Sequence, residues 1–492
     1  MRHISRVASF LFFILMTFAV HAQQDSGAVV TPVPAPDDVW TLQRCVQYAI
    51  DHNISIQQDV LNKRLASYTL LQSQLAQLPS VSATGSYGRN YGRSIDPTSN
   101  QFINTNYDFV SLSGNANVLL FGWFQQRNNI AKNSLNYKAT NADLDQLRDD
   151  VSLNVATGYL RAILAQEQIH VSEKQVELSK AQLSQTRSFF EAGRVPELNV
   201  AQLESQLATD SSNLITSIAN FTSAVIDLKT ILNIDFNTPF NIITPDVKLA
   251  DQITVSSLTP SQIYEEAHKH FGSIRGAEFR VGAAGKGLAA AKGALYPQLS
   301  FGMQVGTNWT SSYSSVTGYN FSGYQYNGSY ASRNGGRDSI YSPAFVPVLS
   351  SVPFGKQLDN NFRQSYALQL NLPIFNGWQA QYAVRQARYT LATQQLNEYQ
   401  AELSLKQNVY KAYNDALNSI QKYYAAVHAA DAAGRAQEFA RQRYDLGLTT
   451  SIDYLVTKNT QYAAETNMLS AKYDLIFKLK VIDYYLGKEL KL

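Results

Sequence analysis

Residues 441–486 read RQRYDLGLTTSIDYLVTKNTQYAAETNMLSAKYDLIFKLKVIDYYL, and residues 187–232 read RSFFEAGRVPELNVAQLESQLATDSSNLITSIANFTSAVIDLKTIL. The two stretches align without a gap. Arg187 falls on Arg441, Phe190 on Tyr444, Gly193 on Gly447, Leu198 on Ile452, Asn199 on Asp453 and Leu232 on Leu486. Each copy reads as the end of one helix, a glycine-marked turn and a second helix. A repeat of this length means that the fold is built twice.

The unit extends upstream. Ala49, His52, Ile56, Ala66 and Pro79 fall on Ala267, His270, Ile274, Ala284 and Pro297, and Phe121-Gly122-Trp123 corresponds to Phe375-Asn376-Gly377-Trp378. Each half therefore reads helix, proline, strand, loop, strand, Gly-Trp, long helix, glycine turn, helix. The first helix is expected over Leu42–Leu78 and its counterpart over Ser261–Tyr296. Pro79 and Pro297 end them, because proline lacks a backbone donor and pushes the preceding residue out of helical geometry.

Strand alternation follows each proline. Val81, Ala83, Gly85 and Tyr87 alternate with Ser82, Thr84 and Ser86, and Val110, Leu112, Gly114, Ala116, Val118 and Leu120 alternate with serines and asparagines. In the second half Leu299, Phe301, Met303 and Val305, then Leu368, Leu370, Leu372 and Ile374, do the same. One face is apolar and the other small or polar. The pattern suits a soluble sandwich or an outer-membrane barrel, whose tilted strands need about 10 residues to cross. Four strands are too few to close a barrel, since the smallest have about 8. An open edge is not tolerated in lipid, so a barrel would have to be shared between chains. The stretch 310–362, rich in Ser, Gly, Asn and Tyr, is expected to be a long extracellular loop.

Trp123–Ala192 and Trp378–Leu446 read as long helices. Leu144, Leu147, Val151, Val155, Gly158, Ala162, Ala165 and Ile169 recur every third or fourth residue, a loose coiled-coil seam. A helix of this length is about 105 Å long and must project from any compact body. In each half the two shorter helices (Leu42–Leu78 with Glu197–Leu232, Ser261–Tyr296 with Ile452–Leu486) together match the long one. They are expected to stack end to end beside it, with the proline-containing linker Asn233–Thr259 at mid-height. Gly193 and Gly447 suit the left-handed turn that ends a helix. Pro196 suits the first turn of the next helix, and Ser451 suits the cap of its counterpart.

Charge and composition exclude several functions. The net charge of +3 over 492 residues gives no footprint for nucleic acid. The single cysteine, Cys45, excludes an intramolecular disulfide framework and sits among the apolar positions of a helix. Arg2, Arg6, the apolar run Phe10–Val20 and Val20-His21-Ala22 read as a secretory signal, with the mature chain starting near Gln23. No other segment has the continuous apolar length of a transmembrane helix. His268 and His270, two residues apart on a helix, face different sides. There is no metal cluster, phosphate loop or nucleophile elbow, so no catalytic residue, metal or cofactor is expected and the chain is not read as an enzyme. The expected divisions are a signal peptide (1–22), an extended lead-in (23–40), a first repeat (41–232), a linker (233–259), a second repeat (260–487) and a tail (488–492).

The duplicated order, the proline before each first strand, FGW and FNGW after the second, and YDLGLTTSIDYL at 444–455 together resemble the TolC-like outer-membrane efflux channel family. The resemblance covers nearly the whole mature chain. It implies an α+β membrane protein in which three chains share a 12-strand outer-membrane β-barrel continuous with a long α-helical periplasmic tunnel. Such a homotrimer is the exit duct of a tripartite efflux or secretion system. It meets a periplasmic adaptor and an inner-membrane transporter, and passes small molecules or polypeptides to the exterior. It also implies a constriction at the periplasmic tip. Asp453 matches an acidic gate position and Tyr444 an aromatic that holds the closed tip. A second acidic position falls on Val456 and a bracing arginine on Thr449, two departures from the family pattern. Gly193-Arg194-Val195 and Gly447-Leu448-Thr449 match turns used in adaptor docking. Trp123, Trp309 and Trp378, near strand ends, suit an interfacial aromatic girdle against outer-membrane lipid. Two readings compete with the duct: a non-conducting coiled-coil rod, motivated by the long seams alone, and an envelope hydrolase, which no constellation of residues supports.

Overall fold

A computed structural model describes residues 39–95, 101–104, 106–244 and 258–488. The signal peptide 1–22, most of the lead-in, the middle of the linker and the end of the tail lie outside the described residues. The first half runs β1 (Val39–Trp40), α1 (Leu42–His52), α2 (Ile54–Leu75), β2 (Ser80–Asn90), β3 (Arg93–Ile95), β4 (Phe102–Asn104), β5 (Tyr107–Phe121), α3 (Gln125–Glu191) and α4 (Glu197–Leu232). After β6 (Asn241–Ile242) come α5 (Pro260–His270), α6 (Gly272–Gly293), β7 (Gln298–Thr310), β8 (Ser314–Arg333) and β9 (Gly336–Ser351). The chain closes with α7 (Phe354–Asn360), β10 (Arg363–Asn371), α8 (Gln379–Asp445) and α9 (Ser451–Tyr485).

The long helices α3 and α8 each have 67 residues, about 100 Å of rod. Shorter helices stack beside them: α1, α2 and α4 along α3, and α5 and α9 along α8. The expected seam of α3 is buried over Leu144, Val151, Val155, Gly158, Ala162 and Ala165. At mid-height β1 and β6 pair in parallel. The Tyr159 hydroxyl stands 2.9 Å from Trp40 O and 2.8 Å from Ile243 O, tying this small sheet to α3. Cys45 is fully buried in the same cluster, and burial pushes its thiol up to about 12, so it stays a thiol at neutral pH.

The structure departs from these expectations in six respects. The first helix of each half is broken. Asn53 leaves helical geometry, ends α1 and caps α2, its Oδ1 accepting from Ser55 N at 2.9 Å. Phe271 makes the equivalent break between α5 and α6 with no side-chain cap. The loop expected over 310–362 is the antiparallel hairpin β8–β9 followed by α7. The fourth strand stops at Asn371, leaving Leu372 and Ile374 outside it. Thr450, not Ser451, caps α9, its Oγ1 accepting from Asp453 N at 3.2 Å, and Pro196 stands at the cap rather than inside α4. Finally, α4 is long and apolar enough to cross a membrane by length and composition alone, although it lies along α3 with little of its apolar window buried.

Four of the strands form one antiparallel sheet in the order β10-β7-β5-β2. Tyr366, Met303, Ala116 and Val81 lie in one cross-strand row, and Ser365, Gln304, Asn115 and Ser82 in the next. The apolar and polar faces are thus continuous across all four strands. Both outer strands, β10 and β2, have an open edge. β5 pairs with β7, so the sheet joins the two halves where the first half's last strand meets the second half's first.

The helices are joined in the same way, through α3 and α6. α6 is glycine-rich because it lies so close to α3. A Cβ on Gly272 would overlap Ala142 O and stand 2.8 Å from the Gln146 Cβ, and one on Gly293 would stand 3.0 Å from Trp123 O. Gly285 faces open space. Gly272→Ala is expected to destabilise the protein by about 1–3 kcal/mol through overpacking. Gly285→Ala is expected to stabilise it by about 0.5–1 kcal/mol through helix propensity. Thermal unfolding of the two variants, followed by circular dichroism, checks this opposition.

Candidate functional site

The end of the rod farthest from the sheet is built by two equivalent turns. Gly193 and Gly447 have φ of +69° and +73°, a conformation that glycine adopts without a Cβ penalty. In the first turn Gly193 N donates to Phe190 O at 2.8 Å and Arg194 N to Phe189 O at 2.8 Å. In the second, Gly447 N donates to Tyr444 O at 2.9 Å and Leu448 N to Arg443 O at 2.8 Å. Both pairs satisfy the last carbonyls of a helix in a Schellman motif. Arg194 lies over the Phe189 ring, 4.5 Å from its centroid. Leu448 is well exposed, as are Leu446, Leu198 and Ile452, so the turns present apolar side chains to whatever meets the tip.

The structure separates the residues singled out for the gate. Asp453 is exposed in the first turn of α9. Its Oδ2 accepts from Thr450 Oγ1 at 2.7 Å and lies 3.5 Å from Thr449 Oγ1. Its charge also suits the helix N-terminus. Val456, one turn on, is exposed beside it. Tyr444 is instead buried, stacked on Tyr454 with centroids 5.1 Å apart and its hydroxyl 3.2 Å from Thr186 Oγ1. Asp453, Thr449 and Val456 therefore share an outer face, and Tyr444 belongs to the interior.

That interior contains a feature the sequence reading missed. The seam of α3 continues past Ile169 as Ser172, Gln175, Ser179, Gln182 and Thr186, still every third or fourth residue, all buried. They meet polar groups from α9. Ser172 Oγ lies 3.0 Å from the Tyr462 hydroxyl, and the Tyr454 hydroxyl donates to Gln182 Oε1 at 3.1 Å. Between them Lys458, with no exposed side-chain surface, donates to Ser179 Oγ at 2.6 Å. Ser179 in turn donates to Asp210 of α4, whose carboxylate also accepts from Gln206 Nε2 at 2.9 Å. Lys458 Nζ lies 3.9 Å from Asp210 Oδ2. Three helices thus meet on a buried ion pair bridged by a serine. The 3/4 spacing of the polar residues carried the signal, but the expected seam was drawn through apolar and small residues alone and stopped at Ile169.

The three tryptophans expected in the girdle lie at two levels. Trp123 packs against Tyr296, with centroids 4.7 Å apart, and Trp378 against Tyr382 at 6.3 Å, both where sheet gives way to helix. Trp309 packs against Phe354 at 5.5 Å near the opposite end of β7.

Burial lowers the pKa of Lys458, and the nearby Asp210 charge offsets part of that shift. Unfolded, the ammonium holds its proton up to the usual 10.5. The unfolded state therefore binds more protons between the lowered folded value and 10.5, and stability rises with pH across that window. Lys458→Met should abolish this rise. It should also cost about 3–5 kcal/mol, because it strands the Asp210 charge. Lys458→Met with Asp210→Leu should recover most of that loss. Thermal unfolding of the detergent-solubilised variants at several pH values checks both expectations.

A family model described as outer membrane efflux protein matches residues 45–233 and 263–487. Outer membrane protein TolC of Escherichia coli is 25% identical over 340 residues, 68% of this chain, and that match spans 61% of TolC's length. Outer membrane efflux protein BepC of Brucella suis is 22% identical over 463 residues, covering 92% of this chain and 86% of BepC. Among solved structures, the outer membrane protein VceC of Vibrio cholerae superposes with a TM-score of 0.71 at 13% identity, covering 92% of this chain and 97% of VceC. The helical rod joined to a strand sheet is thus the fold of TolC-like channels. With a family model spanning both halves from α1 to the end of α9, the chain belongs to the outer membrane efflux protein family.

Proposed function

We propose that three copies of this chain close into an exit duct, a barrel in the outer membrane continuous with a periplasmic helical tunnel. The observation that carries the proposal is the junction between the two halves. By the repeat, α6 corresponds to α2 and α3 to α8, so the α3–α6 contact within the chain has the same form as an α8–α2 contact between chains. Likewise the β5–β7 pairing is the internal counterpart of a β10–β2 pairing between chains. The flanks left open are the ones such contacts need. On α8, Tyr382, Tyr389, Leu396, Leu403 and Tyr410 recur every seventh residue and are exposed. On α2, Leu61, Leu65, Tyr68, Leu71 and Leu75 recur every third or fourth residue and are exposed. These are the two halves of a coiled-coil seam. Three chains would give 12 strands, enough to close a barrel and leave no edge in lipid.

In this assembly the small and polar face of the sheet lines water, and the apolar face meets lipid. Trp123 and Trp378 mark one membrane interface and Trp309 the other. The turns at Gly193-Arg194-Val195 and Gly447-Leu448-Thr449 offer exposed leucines to a periplasmic adaptor, which links the duct to an inner-membrane transporter. Asp453, once per chain beside Val456, supplies a ring of negative charge near the tip. Transport along such a duct involves no catalytic step, and its cargo is small molecules or polypeptides delivered by the transporter.

The test is conductance of the purified protein in planar bilayers, paired with electron microscopy in detergent. A three-fold hollow particle with ion conductance is expected, and a non-conducting solid rod would defeat the duct. Asp453→Asn keeps the hydrogen bonds of the cap and removes the charge, and it is expected to reduce the preference for cations over anions. Unchanged selectivity would remove Asp453 from the constriction.

A further inference from the structure

The hairpin β8–β9 stands at the end of the sheet away from the helices, and among the described elements its two strands make substantial contact with each other alone. Its register sets Val316 opposite Leu349, Tyr319 opposite Pro347, Phe321 opposite Phe345, Tyr324 opposite Pro343 and Tyr326 opposite Tyr341. Directly opposed residues project from the same face. On β9 these partners alternate without interruption, so all five pairs share one face. On β8 they would not, were it not for register shifts between Val316 and Gly318 and between Phe321 and Gly323. Each shift inserts one residue, as a β-bulge does, and returns the next aromatic to the same side. Ring contacts run along this face, with Phe321 and Phe345 centroids 5.9 Å apart and Tyr326 and Tyr341 6.1 Å apart. The opposite face carries Ser315, Gly318, Asn320 and Gln325 against Ser350, Val348, Val346 and Ser342.

Three further observations bear on what covers the aromatic face. The side chains are largely open in the single chain, Tyr319 being 67%, Tyr324 71% and Tyr341 58% exposed. Two-stranded hairpins are marginal in water without a covered face. The charged residues of the hairpin (Arg333, Arg337 and Asp338) all lie at its tip, so the rest of both strands lacks the charges that keep exposed edges apart. The root is also fixed rather than loose. Buried Gln357 of α7 accepts from Thr310 N at 3.1 Å and donates to Thr310 O at 3.1 Å and Val352 O at 2.8 Å. That root joins β7 to β10, and β10 is the edge strand at which the next chain must pair.

We infer that the aromatic face of β8–β9 packs against the same hairpin of a neighbouring copy, forming a protein collar beyond the barrel mouth. The inference rests on the ring of chains proposed above. The hairpin rises at the junction between chains, so the collar continues that junction outward. A strip of some 16 residues per strand extends it by about 50 Å.

Engineered thiols test this in the full-length protein, because Cys45 is fully buried. Phe345→Cys and Tyr326→Cys lie on the aromatic face, and Asn320→Cys and Gln325→Cys on the other. Each is labelled with a thiol-reactive benzophenone in outer membranes and irradiated. Covalent dimers and trimers of this chain, several-fold more abundant from the aromatic-face positions, are expected. Adducts with lipopolysaccharide or with another protein instead, or equal yields from both faces, would overturn the collar. A disulfide between Ile54→Cys and Gln400→Cys of adjacent copies, the repeat counterparts of Gly272 and Gln146, which lie in close contact within the chain, reports the ring itself. If that link forms while the aromatic-face positions give no dimer, the collar fails and the ring stands. If neither forms, the ring fails, and the collar with it.

Discussion

A strand edge in hydrocarbon leaves its backbone N–H and C=O groups without partners, at several kcal/mol for each. This constraint governs the molecule. The sheet β10-β7-β5-β2 has two such edges. Among the described residues no further strand covers them, since β8 and β9 pair with each other and β3 with β4. The helices leave the same two flanks open, α2 below β2 and α8 below β10, each with an exposed apolar stripe. Sheet and helices thus need the same neighbour on the same side. That coincidence gives the proposed ring its physical content.

Along the rod the interior changes character. Toward the sheet, α3 buries Leu144, Val151 and Val155, contacts that only separation from the neighbouring helices can undo. Toward the tip it buries Ser172, Ser179 and Thr186. Hydroxyls and amides exchange protein partners for water at a net of about 1 kcal/mol each, so this part of the seam is held more weakly. Lys458 and Asp210 are the exception. Three helices must stay together for both charges to remain paired. Lys458 stands about one and a half turns inside Asp453 on the same helix.

Much of this was legible in the sequence, because the repeat, the prolines and the glycines act locally. Pro79 and Pro297 mark the entries to the sheet, and Gly193 and Gly447 mark turns at positive φ. What was not legible depended on distant partners. The break at Asn53 carries no proline or glycine and that at Phe271 only the adjoining Gly272, and the helical pattern runs through both. Asn53 is fixed partly by its Nδ2 donating to Ile231 O at 3.0 Å, a contact across the repeat. The hairpin β8–β9 escaped because its register shifts break the alternation that betrays a strand, while the face itself is unbroken. At the tip, the residues proposed for the gate could be named only through the family resemblance. Which of them turn inward could not, since Tyr444 is buried by Tyr454 and Thr186 rather than by its own neighbours in sequence.

The duplication also sets where the molecule departs from its own symmetry. Counting repeats rather than chains, the proposed ring would have six nearly equivalent seams along its middle, three sealed within chains and three between them. The within-chain seams are lined by the glycines of α6 and draw the helices close. The between-chain seams are lined by the tyrosines and leucines of α8 and α2 and hold them further apart. Among the described residues, the features that occur once per chain are the long hairpin outside, the β1–β6 pair at mid-height and the Lys458–Asp210 pair that joins the two halves at the tip. A cylinder of this kind has six-fold character along its helical seams and strict three-fold character at its openings and at the belt between them. A body threading it would meet a change of symmetry on entering, again part-way and again on leaving.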